Sequence, residues 1–120
     1  MKENVIKTKS FQFAVNAVFM FKGLQETKRE FILSKQLLRS GTSIGANVRE
    51  GTNAESTRDF IHKLGIAQKE CDETIYWLEL LHATSYISIE DMLKLRGDAE
   101  ELMRIIRSII LTTKRNSKNL

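Results

Sequence analysis

The stretch SKQLLRSGTSIGANVREG, residues 34–51, is patterned as an amphipathic helix. Its apolar and small residues recur at steps of four, three and four, which places them on one helical face: Leu37, Gly41, Ile44 and Val48. That face is expected to pack into a core. Gly41 and Gly45 lie in the helix interior, where each glycine costs about 1 kcal/mol relative to alanine. Their presence predicts that another backbone approaches this helix closely.

The other sides of the same helix are polar and basic. One row contains Gln36, Ser40, Ser43, Asn47 and Glu50, and a third row contains Lys35, Arg39 and Arg49. A helix with an apolar, a small polar and a basic side has the features of a contact surface. The pattern favours binding over catalysis.

Composition predicts one all-α domain spanning residues 1–120. The chain has no proline and is rich in helix-forming residues. No apolar run follows the charged start, and no stretch is long and apolar enough to cross a bilayer, so we expect a cytoplasmic protein. The single cysteine, Cys71, falls at an apolar helical position and is predicted to be a small core residue rather than a nucleophile.

Periodicity predicts four helices, at about residues 10–25, 32–53, 56–84 and 88–115. The short links between them predict an antiparallel up-down-up-down four-helix bundle. Ser10, Ser56 and Ser88 are candidate N-caps, the last two paired with Asp59 and Asp91 three residues later.

The inward positions follow from the same spacing. The first helix is expected to bury Phe11, Ala14, Val18 and Phe21. The third is expected to bury Phe60, Leu64, Ala67, Cys71, Thr74, Leu78 and Leu81. The fourth repeats in strict three-four alternation, as in a coiled-coil seam, at Met92, Leu95, Ala99, Leu102, Ile106, Ile109 and Thr113.

Charge is divided unevenly along the chain, whose net charge is +4. Residues 1–49 hold nine Lys or Arg against three Glu, residues 50–101 hold five against twelve acids, and residues 102–120 hold five against none. The bundle topology is expected to gather many of these cations towards one end, where they raise the local affinity for phosphate. The set comprises Lys2, Lys7, Lys9, Arg49, Arg104, Arg107, Lys114 and Arg115. Charges on solvated faces and near helix C-termini are also ordinary, so this pattern alone leaves a purely structural role open.

Catalytic and metal sites are not predicted. The pairs Asp59–His62 and Glu79–His82 have the spacing of di-iron ligands, but 20 residues separate them on one helix, about 30 Å at 1.5 Å per residue. A di-iron site needs such pairs to face each other from different helices. Neither a metal nor another cofactor is therefore expected, and the chain is not expected to be an enzyme.

The runs LSKQLLRSGTSIGANVREG and DFIHKLGIAQKECDETIYWLELL resemble the family of small four-helix bundles encoded in intervening sequences of bacterial 23S rRNA genes, also called ribosomal protein S23. The most specific part is Ser43, Ile44 and Asn47, followed by Glu50 and Gly51. Many members carry proline where this chain has Gly45. The accessory protein of diversity-generating retroelements is similar in fold and is a basic pentameric ring that contacts nucleic acid.

The resemblance implies a non-enzymatic homopentamer that binds nucleic acid, RNA above all, with little sequence readout. The candidate phosphate-binding residues are Lys35, Arg39, Arg49, Arg104, Arg107, Lys114 and Arg115. An alternative function is a scaffold whose basic surface docks an acidic protein partner. In a ring, the small row is expected either to join protomers or to seat helices within one bundle, and Tyr76 and Trp77 are expected at an interface or in the core. These candidates for close packing are Ser40, Gly41, Ser43, Gly45, Asn47, Tyr76 and Trp77.

Overall fold

Four α-helices form the part of the chain that the structure describes, in the order α1 (Lys2–Lys28), α2 (Leu33–Thr52), α3 (Thr57–Ala83) and α4 (Ile89–Lys118). The structure is a computed structural model that describes residues 2–118, with side chains over residues 5–117. α1 packs on α2, α2 on α3, α3 on α4, and α4 back on α1, and no diagonal pair packs within the described range. The predicted antiparallel four-helix bundle is confirmed, and it measures 53 × 22 × 20 Å.

Two of the three predicted N-caps are confirmed. The Ser56 side chain accepts a hydrogen bond from the backbone N–H of Asp59 at 3.0 Å, and Ser88 accepts one from Asp91 at 3.1 Å. Ser10 is not a cap, because α1 already begins at Lys2. Its hydroxyl lies inside the helix, where it is buried and donates to the Lys7 carbonyl at 3.3 Å. No glycine or proline interrupts residues 2–10, so the helix continues through Ser10.

α2 begins at a cap that the sequence pattern did not predict. The Glu30 carboxylate accepts hydrogen bonds from the backbone N–H groups of Ile32, Leu33 and Ser34 at 3.1, 2.8 and 2.7 Å. The first N–H groups of a helix have no partner within the helix, so this one carboxylate satisfies three of them. Arg29 reverses the chain just before it with a left-handed φ of 55°. Glu30 therefore fixes the link between α1 and α2.

The core lies along three helix faces that periodicity predicted correctly. Leu37, Ile44 and Val48 of α2 are buried. The predicted inward positions of α3 between Leu64 and Leu81, and those of α4 between Met92 and Ile109, are buried as well. Among the inward positions predicted for α3 and α4, only the outermost ones, Phe60 and Thr113, are partly exposed. These three helices are amphipathic, so the apolar spacing identifies the inward face.

The predicted inward face of α1 is wrong. The buried side chains are Ile6, Phe13, Ala17 and Leu24, whereas Phe11 is 58% exposed. Ala14, Val18 and Phe21, also predicted to be inward, are only half-buried. Apolar residues surround most of α1, and a helix that is apolar on several sides offers no single preferred face. As a result, α1 carries apolar side chains that the bundle core does not use.

Candidate nucleic-acid interface

The second half of α4 presents a row of exposed cations and no acid. Arg104, Arg107, Lys114 and Arg115 are all exposed, while Leu102, Ile106 and Ile109 of the same helix are buried. With 3.6 residues per turn, the four cations share the side opposite the core seam. Arg115 follows Arg104 by 11 positions, so the row extends along about 17 Å of helix. We call these four residues the α4 basic row.

The α4 basic row is not neutralised by carboxylates. Within the side chains that the structure describes, none of its four members forms an ion pair. Other surface cations do, over 2.7–3.3 Å: Lys9 with Glu101, Lys63 with Glu50, Lys94 with Asp98, and Arg96 with Glu79. Because the α4 row lacks such partners, its positive charge is available to an anionic ligand.

The cations form a row along α4 and a group at one end, rather than the single cluster that was expected. Arg104 and Arg107 lie near the middle of the 30-residue α4. Lys7 lines one cavity together with Thr113 and the α2–α3 link, and a second cavity together with Arg49. Lys7 and Arg49 are thus near the C-terminal end of α4, where Lys114 and Arg115 lie. The side chain of Lys2 is outside the described range, and Lys9 is paired with Glu101.

Arg39 is paired with carboxylates, unlike the members of the α4 basic row. Its guanidinium forms ion pairs with Glu70 at 3.0 Å and with Glu73, both on α3. The hydrogen bond from Arg39 is the main reason why the pKa of Glu73 lies below its usual value. Trp77 adds a hydrogen bond from Nε1 to the same carboxylate at 3.2 Å. Glu70 and Glu73 thus join α3 to α2 through Arg39.

Lys35 is exposed but distant from the other candidates. It lies in the first turn of α2, 14 residues or about 21 Å along the helix from Arg49. Because consecutive helices are antiparallel, the start of α2 lies at the opposite end of the bundle from the C-terminus of α4. The structure therefore groups Arg49 with Lys114 and Arg115 and leaves Lys35 apart.

The small residues of α2 make contacts inside one bundle. A Cβ built on Gly41 would lie 2.9 Å from Ala17 Cβ, and one on Gly45 would lie 3.2 Å from the Ser10 carbonyl oxygen. Because neither glycine has a side chain, α1 can approach α2 closely at both positions. Ser40 is buried and contacts Thr74 of α3. The small row was predicted either to join protomers or to seat helices within one bundle. The contacts of these three residues fit the second alternative, with the glycines facing α1 and the serine facing α3.

The remaining small polar residues bond to their own helix. Ser43 donates to the Arg39 carbonyl at 2.6 Å, and Asn47 Nδ2 donates to the Ser43 carbonyl at 2.9 Å. On α3, the Tyr76 and Trp77 rings meet edge to face with centroids 5.0 Å apart. Trp77 packs partly against the core, whereas Tyr76 is 57% exposed. Tyr76 is therefore the member of the predicted close-packing set that is most accessible to a partner.

Among the described residues, the cysteine is unreactive and no metal-ligand group is present. Cys71 is fully buried, and burial raises the pKa of its thiol to about 12, so it is a poor nucleophile at neutral pH. Over the same part of the chain, no three His, Cys, Asp or Glu residues are grouped as metal ligands. What the site offers is uncompensated positive charge on a rigid helix, which attracts anions.

No helix within residues 2–118 combines the length and the apolar character needed to cross a membrane.

Comparisons with known proteins agree with this fold. A family model described as 23S rRNA-intervening sequence protein matches residues 2–108. Among solved structures, the chain is similar to a protein of unknown function from the S23 ribosomal protein family of Bacteroides thetaiotaomicron, with 53% sequence identity and a TM-score of 0.91. That match covers 92% of this chain and 98% of the other. No curated protein matches the sequence.

Proposed function

Because the chain belongs to the 23S rRNA-intervening sequence protein family, we propose that it is a non-enzymatic homo-oligomer that binds RNA through its basic surface with little sequence readout. The observation that carries this proposal is the α4 basic row. Four exposed cations without carboxylate partners follow one helix, on a stretch from residue 102 onward that contains no acid.

Phosphate contact explains why little sequence readout is expected. Lys and Arg that neutralise phosphates supply affinity but carry no base information, because every nucleotide has the same phosphate. The family description names 23S rRNA, which makes structured RNA the first ligand to test.

Self-association is supported by large apolar side chains outside the core. Ile32 is 77% exposed, Leu111 is 56% exposed, and Tyr76 is also exposed. Exposed apolar groups of this size commonly mark contacts with another protein, and soluble proteins most often associate with copies of themselves. By family resemblance the assembly is a pentamer. Light scattering is then expected to give the mass of five 13.8-kDa chains.

A charge-matched pair of variants tests RNA binding. The first replaces the α4 basic row by glutamine, as Arg104→Gln, Arg107→Gln, Lys114→Gln and Arg115→Gln. The control replaces four cations that are already ion-paired, as Lys9→Gln, Lys63→Gln, Lys94→Gln and Arg96→Gln. Both lower the net charge by the same amount. Exposed ion pairs contribute at most about 1 kcal/mol each, so the control is expected to fold.

The proposal expects the first variant to lose affinity for structured RNA by about tenfold or more, and the control to lose much less. Affinity is measured by fluorescence anisotropy at 0.1 M salt, a condition chosen to keep phosphate contacts measurable. Equal losses in the two variants would mean that net charge alone drives association. Unchanged affinity of the first variant would contradict the proposal and leave docking of an acidic protein partner as the function to pursue.

A further inference from the structure

A groove of about 430 Å³ lies between α1 and α2 near the end of the bundle that carries Lys114 and Arg115. Lys7 and Phe11 of α1 line it together with Arg49 of α2, and its remaining lining includes Ala14, Gly45 and Ala46. The groove is within the range of about 300–1,000 Å³ that is usual for small-ligand sites. Its walls therefore combine two cations and one aromatic ring around small side chains.

The close approach of α1 and α2 shapes this groove. A Cβ on Gly45 would lie 3.2 Å from the Ser10 carbonyl oxygen, so the two helix backbones nearly touch beneath it. With glycine and alanine in the lining, no long side chain fills the space beside the Phe11 ring. Lys7 and Phe11 are four residues apart on α1, a spacing that puts them on the same side of the helix. The ring and the ammonium group thus border one open space.

The charge of the groove is positive. Neither Lys7 nor Arg49 forms an ion pair with any described side chain. Glu50 also lines the groove, but its carboxylate is 3.1 Å from Lys63 Nζ on α3. Phe11 is 58% exposed and lines the same groove as the two unpaired cations. An aromatic face beside cations matches a ligand that has a flat ring and a phosphate on each side, which is an unpaired nucleotide.

We propose that this groove binds single-stranded RNA, with one unpaired base stacked on Phe11 and the adjacent phosphates held by Lys7 and Arg49. The inference rests on the proposed RNA-binding function and extends it, because the α4 basic row contacts phosphate on any RNA whereas a stacking site requires an unstacked base. Lys7 also lines the neighbouring cavity that includes Thr113, near the C-terminal end of α4.

Phe19 is a matched control for Phe11. It lies on the same helix, is 65% exposed, and also lines a cavity. That cavity carries less positive charge, because Asp91 offsets Lys28 in its lining and because its Lys94 is paired with Asp98. An exposed phenylalanine alone does not make a nucleotide site, so the two rings are expected to differ in their effect on RNA binding.

The test compares Phe11→Leu, Phe11→Trp and Phe19→Leu in the full chain. Leucine keeps an apolar contact but cannot stack, and tryptophan keeps the stacking face. The probes are a single-stranded uridylate decamer containing one 2-aminopurine, whose fluorescence is quenched when the base stacks, and a duplex RNA of equal length. Stacking on an aromatic side chain contributes about 1–3 kcal/mol per base, so Phe11→Leu is expected to weaken decamer binding by about tenfold.

The same variant is expected to bind duplex RNA as the wild type does, and Phe11→Trp and Phe19→Leu are expected to retain decamer affinity. Unchanged decamer affinity in Phe11→Leu would overturn the inference while leaving RNA binding intact. A reduced oligomer mass for Phe11→Leu by light scattering would also overturn it, since the ring would then be a contact between protein chains. A wild-type protein that binds neither probe would refute the proposed function itself.

Discussion

The hydroxyl groups of Ser40 and Thr74 lie 2.9 Å apart and are hydrogen-bonded between α2 and α3. Both side chains are fully buried, and Thr74 Oγ1 is also 2.7 Å from the Glu70 carbonyl oxygen of its own helix. A buried hydroxyl that keeps its partner contributes modestly, whereas one that loses its partner is costly. The pair therefore fixes how α2 and α3 sit together inside an otherwise apolar interface.

A double-mutant cycle measures this contact. Thr74→Val leaves Ser40 with only the distant Leu37 carbonyl, at 3.4 Å, and is expected to lower the free energy of unfolding by about 1–3 kcal/mol. Ser40→Ala is expected to cost about 1 kcal/mol. Combining the two is expected to cost less than their sum by about 0.5–1.5 kcal/mol, as read from urea unfolding. Strict additivity would mean that the two hydroxyls do not interact in solution.

Gly41 and Gly97 are expected to respond oppositely to alanine. A Cβ on Gly41 would lie 2.9 Å from Ala17 Cβ, so α1 has to move, and overpacking of this kind costs about 1–3 kcal/mol. Nothing lies within 4 Å of a Cβ on Gly97 of α4, where alanine is expected to add up to about 1 kcal/mol through helix propensity. Thermal unfolding of the two single variants checks this. Stabilisation by both would show that α1 packs on α2 less closely than described.

The Glu30 cap predicts a pH dependence of stability. Burial opposes ionisation of this carboxyl, but hydrogen bonds from the N–H groups of Leu33, Ser34 and Ile32 outweigh it and hold its pKa below the usual value. The stabilisation is therefore present above the unfolded pKa of about 4.3 and is lost as pH falls through the lower folded pKa. Glu30→Gln is expected to be less stable than wild type by about 1–2 kcal/mol at pH 7.

Melting temperatures between pH 7 and pH 3 test the cap. The difference in melting temperature between wild type and Glu30→Gln is expected to be constant near neutral pH. It is expected to shrink as the pH drops below the usual pKa of glutamate. Glu26→Gln, an exposed position on α1, serves as the control and is expected to follow the wild-type curve. A difference in melting temperature that persisted unchanged at pH 3 would rule out the charge of Glu30 as its cause.

Arg39 and Arg49 are expected to contribute differently to RNA affinity, although both lie on α2. Arg39 is held by Glu70 and Glu73, so Arg39→Gln is expected to leave RNA affinity unchanged. Arg49 has no ion pair among the described side chains and lines the groove with Lys7 and Phe11, so Arg49→Gln is expected to weaken binding. Both variants remove one charge, which makes each the control for the other in an anisotropy titration. Equal effects would contradict the assignment of Arg49 to the binding surface.

Three of the four helix faces could be predicted from the sequence because each has one apolar side. The α4 seam and the α3 positions around Cys71 are examples, and their caps at Ser56 and Ser88 depend only on local sequence. The face of α1 could not be predicted, since its apolar residues surround the helix and only packing against α2 and α4 selects Phe13 over Phe11. Intrinsic periodicity carries no information when the apolar surface exceeds what one core can bury.

Part of the candidate site could also be predicted. The cations of α4 were identifiable because residues 102–120 contain no acid. The ion pairing of Arg39 could not be predicted, because it depends on the register between α2 and α3. That register brings Glu70 and Glu73 beside Arg39, which lies more than 30 positions earlier in the chain. Gly45 predicted a close approach of another backbone, but the sequence did not show that α1 is the helix that approaches or that Phe11 borders the resulting groove.

The salt dependence of RNA affinity tests the central claim most directly. Wild-type protein is titrated into a fluorescent structured RNA at several salt concentrations between about 50 and 200 mM, the range in which phosphate contacts change affinity most visibly. Each contact to a single-stranded phosphate contributes about −0.7 to the slope of log affinity against log salt, so four cations acting together predict a slope near −3 or steeper. No measurable binding at the lowest salt, or a slope near zero, would contradict the account.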